Sequence, residues 1–197
     1  MDALEAIITR RSTRNYRPDP VEKEKIDRIL EAGRQAPSGG NNQTGHFFVI
    51  RNRDVLDRLI RMTETAFARM EITENTYASM KHSIAASRKG GYVFCYNAPL
   101  LIVAANRKDY GNNIADCACA LENMMIAANA LDLGSCWINQ LKWLNEEPEI
   151  VEYLRDLGMK EDERVYGAVI IGYPATDSGL PNRNLMALKG NEVTWID

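Results

Sequence analysis

The chain has 197 residues, 45% of them hydrophobic, and a formal net charge of −3 at pH 7. That length suffices to bury one sizeable core and is short for two ordinary domains, so we expect a single domain spanning residues 1–197. A weakly acidic chain has no general attraction to nucleic acid or to an anionic membrane, so neither is an expected partner, and any cluster of cationic side chains needs a local explanation.

Cysteine and histidine usage predicts neither a disulfide framework nor a metal site. The four cysteines lie in apolar segments without the CxxC spacing of zinc sites and redox dithiols, and only two histidines are available as ligands. Segment 1–11 lacks the apolar core of a secretory signal, and the longest apolar run, 98–105, is far shorter than the roughly 20 residues of a membrane span. We therefore expect reduced thiols, a cytoplasmic location and no transmembrane segment.

A first helix is predicted by the helical spacing of Leu4, Ile7 and Ile8, which would make up one face of it. It ends near Ser12, within the short cationic turn Arg-Arg-Ser-Thr-Arg of residues 10–14. Three arginines around a hydroxyl suit a phosphate, because guanidinium groups match its oxygens bidentately and serine donates a further hydrogen bond. The default alternative is a solvated surface or a partner of the helix dipole.

A second helix is announced by Asp19-Pro20-Val21-Glu22, with aspartate as N-cap and proline at the first helical position. It ends by Pro37. The following loop 37–43, Pro-Ser-Gly-Gly-Asn-Asn-Gln, combines small residues with amides that donate and accept hydrogen bonds. Glycine would leave backbone N–H groups uncovered, so a flat ligand could approach closely; an ordinary turn is the default alternative.

The rest of the chain alternates between strands and helices. Strands are predicted at 46–50, 99–105 and 165–171, a short extended segment at 135–139, and helices at 54–89, 114–131 and 148–157. Because no repeat, linker or composition shift interrupts this alternation, the sequence predicts an α+β sandwich with helices packed on a central sheet.

Two of these helical segments have distinguishing features. Periodicity within 54–89 weakens near 71–76, so this stretch is a candidate lid or excursion. The helix 114–131 is apolar nearly all round, which implies burial against several elements, with another subunit among the options. The pair Leu133-Gly134 would terminate it, with the glycine in the left-handed capping conformation.

Sequence motifs exclude several enzyme classes. The chain has neither GxGxxG nor a Walker motif, which argues against dinucleotide-binding and nucleoside-triphosphate enzymes, and no GxSxG element that would present a nucleophilic serine. Four segments instead occur in an order and spacing that closely resemble the nitroreductase family, over almost the whole chain. They are Arg10-Arg-Ser-Thr-Arg-Asn-Tyr16, Ala36-Pro-Ser-Gly-Gly-Asn-Asn-Gln43, Leu131-Asp-Leu-Gly-Ser-Cys-Trp-Ile138 and Ile171-Gly-Tyr-Pro174.

The resemblance implies an α-β-α sandwich with a mostly antiparallel sheet and an intertwined homodimer that binds FMN at its interface. NADH or NADPH would reduce the flavin, and an electron-poor acceptor such as a nitroaromatic or a quinone would reoxidise it in a ping-pong reaction. No protein residue would be catalytic in the strict sense, because flavin N5 carries the hydride.

The resemblance also assigns flavin contacts. Arg10 and Ser12 would hold the phosphate, and Arg14 would lie near the O2/N1 edge, where a cation stabilises the reduced ring. Backbone groups of 135–137 would lie along the N5/O4 edge, while Ser38, Gly39 and Asn41 would reach the flavin from the partner subunit. The full expected set is Arg10, Arg11, Ser12, Arg14, Pro37, Ser38, Gly39, Asn41, Gln43, Gly134, Ser135, Cys136, Trp137, Arg183 and Lys189.

Some questions stay open in the sequence. Arg183 and Lys189 are both candidates for a C-terminal cation on the phosphate. Thr44-Gly45 stands where many relatives have proline and an aromatic residue, and 63–87 matches no known segment, so the acceptor is undetermined and this region is a candidate substrate lid. Alternatives are a reductive dehalogenase or an activated-alkene reductase of the same fold, and a low-turnover flavin sensor or carrier. Cys136 and both histidines are expected to be structural.

Overall fold

A four-stranded antiparallel sheet forms the centre of the protein in the computed structural model, which describes residues 1–197. Its strands are β1 (His46–Ile50), β2 (Leu100–Arg107), β3 (Gly134–Ile138) and β4 (Glu163–Gly172). Their order across the sheet is β1-β2-β4-β3, with every neighbouring pair antiparallel, so β1 and β3 form the two edges.

Seven helices cover both faces of this sheet. They are α1 (Ala3–Thr9), α2 (Lys23–Arg34), α3 (Arg53–Arg69), α4 (Ala78–Lys89), α5 (Asn113–Ala130), α6 (Gln140–Trp143) and α7 (Pro148–Asp156). None of them combines the length and the apolar character needed to cross a lipid bilayer.

Alternation along β2 produces the two cores, because successive side chains of a strand point to opposite faces. Leu100, Ile102 and Ala104 pack with α2 and α5, whereas Leu101 and Val103 pack with α3, α4, α6 and α7. The α+β sandwich with a central antiparallel sheet is confirmed.

Most predicted elements occur within two residues of their expected bounds, with two exceptions. The stretch 54–89 is two helices, α3 and α4, separated at 70–77 where the predicted periodicity weakens. The second helix begins at Lys23 with Glu22 as N-cap, so the prediction of an Asp19 N-cap was wrong. The Asp19 carboxylate instead lies 2.9 Å from Nε of Arg17, and segment 17–22 runs on without helical structure.

The end of α5 also differs from the prediction. Asp132, not Gly134, takes the left-handed conformation, with φ of 62°, and the Leu133 N–H donates to the Ala128 carbonyl at 2.9 Å. Gly134 already belongs to β3. Glycine is needed there for close packing, since a Cβ atom would lie 2.6 Å from Oγ1 of Thr13.

The apolar stripe of α1 is exposed. Leu4, Ile7 and Ile8 are 74%, 49% and 57% exposed, and only Ala6 is buried in this helix. This face of the helix therefore does not enter the core of its own chain. Its side chains form an uncovered apolar surface instead.

Candidate functional site

The cationic turn, residues 10–14, runs along the open edge of β3. Ser12 and Ser135 form a parallel bridge, and the Thr13 N–H donates to the Ser135 carbonyl at 2.9 Å. Tyr16 closes the turn, because its hydroxyl donates to the Thr13 carbonyl at 2.6 Å. Burial raises the pKa of this phenol well above its usual value, which keeps it a neutral donor. Main-chain bonds thus fix the turn against the sheet.

Three polar side chains of the turn are available to a ligand. Ser12 and Arg14 are exposed and make no hydrogen bond through their side chains. Arg10 is 26% exposed, and its Nε lies 3.6 Å from the carboxylate of Glu122 on α5. This long, solvent-exposed ion pair leaves most of the guanidinium's hydrogen-bonding capacity unused.

Arg11 points elsewhere. Its Nε donates to the Asn184 carbonyl at 2.7 Å, and its Nη1 donates to the Ile8 carbonyl at 3.2 Å. These bonds satisfy a free carbonyl at the end of α1 and hold the C-terminal tail. Arg11 therefore corresponds to the default alternative, a partner of the helix terminus.

Arg183 and Lys189 have different surroundings. Arg183 Nη2 donates at 2.7 Å both to the Asn129 carbonyl and to the carboxylate of Asp132, whereas Lys189 is exposed and makes no hydrogen bond or ion pair. The buried Asn129 side chain in turn donates to the carbonyl of Ala6 at 2.9 Å. Arg183 is thereby held beside the end of α1 and the cationic turn.

The β3 residues of the expected set are mostly buried. Ser135 and Cys136 are 1% and 2% exposed, and the Ser135 hydroxyl has no hydrogen-bond partner. Trp137 packs over Gly167, where a Cβ atom would lie 2.6 Å from its ring, and its Nε1 donates to Asn139 at 2.8 Å. Cys136 and Trp137 therefore contribute packing and backbone.

The amide loop, residues 37–43, is closed by its own hydrogen bonds. The Gln43 N–H donates to Ser38 Oγ, and Gln43 Nε2 donates to Asn41 Oδ1, both at 3.0 Å. Gly40, Asn41 and Gln43 have φ values of 59°, 52° and 49°, in the left-handed region that residues other than glycine disfavour. Pro37, Asn41 and Gln43 are exposed, so the loop presents amide groups to solvent.

Gly39 anchors this loop to the start of α5. Its N–H donates to Asp116 Oδ1 at 3.0 Å, and its carbonyl accepts from the Tyr110 hydroxyl at 2.9 Å. The expectation that glycine leaves its N–H uncovered was wrong at this position. Glycine is required for close approach, since a Cβ atom would lie 2.1 Å from Nδ2 of Asn112.

The expected site residues form two groups at opposite ends of α5. The amide loop is bound at Asp116, near the first turn, whereas Arg183 and the end of α1 are bound at Asn129, in the last turn, and the Arg10 side chain reaches Glu122 between them. Thirteen residues of helix span about 20 Å at 1.5 Å per residue. The structure therefore places Arg10, Ser12, Arg14 and Arg183 around the end of α1 and the start of β3, while the amide loop of the same chain is bound at the other end of α5, about 9 Å along the helix from the Arg10 contact at Glu122.

Asp116, Tyr110 and Asn129 were missed by the sequence analysis. Asp116 and Asn129 had a usable signal, because each is a polar residue inside an otherwise apolar helix, where a buried polar group needs a specific partner. Tyr110 had none, since a tyrosine in a polar turn is unremarkable without its neighbours.

The largest cavity, about 880 Å³, lies apart from both groups. It is lined by segment 16–21, the start of α3 and the residues before β2, and includes none of the expected site residues. A smaller cavity of about 210 Å³ adjoins the amide loop and is lined in part by Pro37, Ser38, Gln43 and Asp116.

Comparison with known proteins identifies the family. The family model described as "Nitroreductase family" matches residues 7–173. A provisionally named NADH dehydrogenase/NAD(P)H nitroreductase from Archaeoglobus fulgidus is 32% identical, over 88% of this chain and 86% of the relative. A nitroreductase from Bacteroides fragilis, solved with bound FMN, is 34% identical with a TM-score of 0.87 over 100% of both chains. The matched residues include the cationic turn, the amide loop and β3, and the chain belongs to the nitroreductase family.

Proposed function

We propose that this protein is an FMN-dependent oxidoreductase that transfers electrons from NADH or NADPH to an electron-poor acceptor, such as a nitroaromatic or a quinone, in a ping-pong reaction. The observation that carries the proposal is the row formed by Arg10, Ser12 and Arg14 along the edge of β3, whose hydrogen-bonding groups are largely unused within the chain. FMN, when bound, would supply the two-electron chemistry. The protein supplies binding, orientation and electrostatics.

The phosphate end of the flavin fits the residues beside the end of α1. Arg10 and Ser12 have unused donors there, and a charge-assisted hydrogen bond to phosphate is stronger than a neutral one. Of the two C-terminal cations, we assign Arg183, because Asn129 and Asp132 hold it beside this group. Arg11 and Arg183 are both bound to main-chain carbonyls, and each keeps one Nη nitrogen without a hydrogen bond, so Arg11 is kept beside Arg183 as a candidate for the phosphate.

The ring end fits the other part of the turn. The unpaired Arg14 guanidinium would stabilise the negative charge of the reduced ring and so raise the flavin potential. Gly134 allows the turn to pack tightly on β3, because any side chain there would displace Thr13. No protein nucleophile is needed, and the buried Cys136 and the His46 side chain, paired with Glu163, lie outside the proposed machinery.

A second subunit is part of this proposal. The amide loop is bound at Asp116, about 20 Å along α5 from Arg183 at Asn129 and about 9 Å from the Arg10 contact at Glu122, and we assign it to the flavin of a partner chain. Extensive exposed apolar surface supports an intertwined homodimer, because such surface usually marks an interface. It comprises the α1 stripe and six large side chains near the C-terminus: Leu185, Met186, Leu188, Val193, Trp195 and Ile196.

Purified protein tests the proposal directly. We expect a dimer by size-exclusion chromatography with light scattering, binding of about one FMN per chain, and NAD(P)H oxidation that depends on a nitroaromatic or a quinone. Faster turnover with halogenated aromatics or activated alkenes would move the reaction to the alternative reductases. Tight FMN binding without turnover on any acceptor would make the protein a carrier or sensor. A monomer that binds no FMN would overturn the proposal.

A further inference from the structure

The amide loop is held by a clasp of two side chains on a different part of the chain. Asp116 Oδ1 accepts from the Gly39 N–H at 3.0 Å, and the Tyr110 hydroxyl donates to the Gly39 carbonyl at 2.9 Å. Both main-chain polar groups of one glycine are thus bound by side chains. We call Asp116 and Tyr110 the Gly39 clasp.

The Asp116 carboxylate is expensive to bury for stability alone. The residue is 9% exposed, its one side-chain hydrogen bond is to Gly39, and its second oxygen, Oδ2, is buried without a partner. A buried carboxylate normally needs several hydrogen bonds or a cation to offset its desolvation. Its single bond points to a role in fixing the loop.

The loop needs such a constraint because its own conformation is unfavourable. Asn41 and Gln43 are left-handed, although neither is glycine, and Gly40 between the clasp and Asn41 is left-handed too. Four internal bonds, two of them between main-chain groups, close the loop but do not attach it to the sheet or to α5. The clasp supplies that attachment.

We propose that Asp116 and Tyr110 are positioning residues that act across the subunit interface: they hold the amide loop in the place where it contacts the flavin bound by the partner's cationic turn. This inference rests on the proposed function. Residues at the start of α5 would thereby influence the binding of a flavin whose phosphate is held by the arginines of the partner chain.

Substitutions at Asp116 separate this role from general stability. We expect Asp116→Ala to raise the Kd for FMN at least about tenfold, the loss associated with one hydrogen bond to a charged group, and to shift the flavin midpoint potential. Asp116→Asn keeps an oxygen for the Gly39 N–H, and since Oδ2 has no partner, it should restore both values nearly to those of the wild type. Asp109→Ala is the matched control, because Asp109 is an exposed neighbour without a side-chain hydrogen bond.

Tyr110→Phe removes the other half of the clasp with little change of volume, and we expect a several-fold rise in Kd and a potential shift of the same sign. Tyr166→Phe is its control, since the Tyr166 hydroxyl accepts from Asn113 at 2.8 Å at the start of α5 without contacting the loop. Were Asp116→Ala unable to fold, the Tyr110→Phe and Tyr166→Phe pair would carry the comparison alone.

Mixed dimers test action across the interface. Chains carrying Arg10→Ala and chains carrying Asp116→Ala, marked with different affinity tags, are co-expressed and purified through both tags. If the clasp acts on the partner's flavin, one site of the mixed dimer is intact and the other carries both defects, so we expect about one FMN per dimer with wild-type affinity and potential. If the clasp acts within its own chain, both sites are damaged and neither binds FMN normally.

The outcomes distinguish failure of this inference from failure of the proposed function. If the wild-type protein binds no FMN, the proposed function is wrong. Wild-type protein that binds FMN, together with Asp116→Ala of unchanged Kd and potential, overturns the clasp, and so does a mixed dimer without a normal site. A loss in Asp116→Ala that Asp116→Asn does not restore also contradicts it, because the hydrogen bond to Gly39 would then not be the cause.

Discussion

The two ends of α5 hold their parts of the proposed site by different means. At its C-terminal end, the cationic turn is fixed to β3 by main-chain pairing of residues 12 and 13 with Ser135. At its N-terminal end, the amide loop is fixed through the side chains of Asp116 and Tyr110. We call these the cationic half and the amide half of the site.

This difference predicts which substitutions each half tolerates. In the cationic half the fold does not depend on the arginine side chains 10 and 14, so these can be varied to tune binding while the backbone stays in place. In the amide half, the side chains of Asp116 and Tyr110 themselves hold the loop. A substitution of either residue therefore changes the position of the loop. Substitutions that separate affinity, stability and potential test this distinction.

Arg10→Ala should give the largest effect on affinity. Loss of a charge-assisted contact with the proposed phosphate is worth on the order of 1.5–3 kcal/mol, roughly a ten- to hundredfold rise in Kd for FMN. Because main-chain bonds hold the turn, the melting temperature of the apoprotein should stay unchanged. Fluorescence titration and thermal unfolding measure the two quantities. Arg28→Ala, at an exposed arginine of α2 without a hydrogen bond or ion pair, controls for the loss of charge; equal Kd values in the two variants would refute the phosphate role.

Two glycine substitutions compare the halves directly. In Gly134→Ala the new Cβ lies 2.6–2.7 Å from three atoms of Thr13, a β-branched side chain that has little freedom to move. We expect a loss of about 1–3 kcal/mol, and so a fall of several degrees in melting temperature. In Gly39→Ala the new Cβ meets the amide end of the exposed Asn112 side chain at 2.1 Å, which can swing away, and the Tyr110 hydroxyl at 2.6 Å, whose bond to the Gly39 carbonyl would be displaced. That variant should melt near the wild type and bind FMN more weakly. The reverse pattern would contradict the distinction between the halves.

The sequence predicted the parts that depend on local pattern. The apolar runs predicted three of the strands, a short extended segment was predicted where β3 lies, and the family pattern selected the turn with Arg10 and Arg14. It could not predict that Arg11 turns to main-chain carbonyls, because its neighbours in space include Asn184 from the far end of the chain. The Gly39 clasp was missed for the same reason, since 77 residues separate Gly39 from Asp116.

Errors at element ends also have a physical cause. Asp19 has the residue type of an N-cap, yet it pairs with Arg17 four residues before the helix begins. Gly134 has the residue type of a C-cap, yet Asp132 takes the left-handed position and the glycine serves close packing with Thr13. In both cases the prediction used the preference of the residue type for a helix end, whereas contacts with residues outside the helix determine its conformation.

Arg14→Ala should change the potential more than the affinity. Removing a cation from the proposed O2/N1 edge destabilises the reduced flavin relative to the oxidised one, so the midpoint potential should fall by tens of millivolts, where about 30 mV corresponds to 1.4 kcal/mol for two electrons. Redox titration against a dye of known potential measures the shift. Arg14→Lys keeps the charge and should recover most of it. A potential that stays at the wild-type value would remove Arg14 from the ring edge while leaving the phosphate site untouched.

The smallest expected effect concerns acid stability next to the amide half. Glu163 is 2% exposed; its carboxylate is hydrogen-bonded to His46, the first residue of β1, at 2.9 Å, and accepts from the Lys160 N–H at 3.0 Å. Burial alone would raise the pKa of this carboxyl, but these two hydrogen bonds outweigh it and hold the pKa below the usual 4.5.

A carboxyl with a depressed pKa stabilises the fold above its unfolded-state pKa, and that contribution is lost as the pH falls through the folded-state value. The melting temperature should therefore drop below about pH 4.5, and Glu163→Gln should show a shallower drop there because it has no carboxylate to protonate. Glu161→Gln, at an exposed neighbour without a side-chain bond, should keep the wild-type slope. His46, the first residue of β1, follows the last residue of the amide loop by three positions. The FMN affinity of Glu163→Gln at neutral pH therefore shows whether β1 also helps to hold the loop. If the affinity is unchanged, the loop is held by the Gly39 clasp alone.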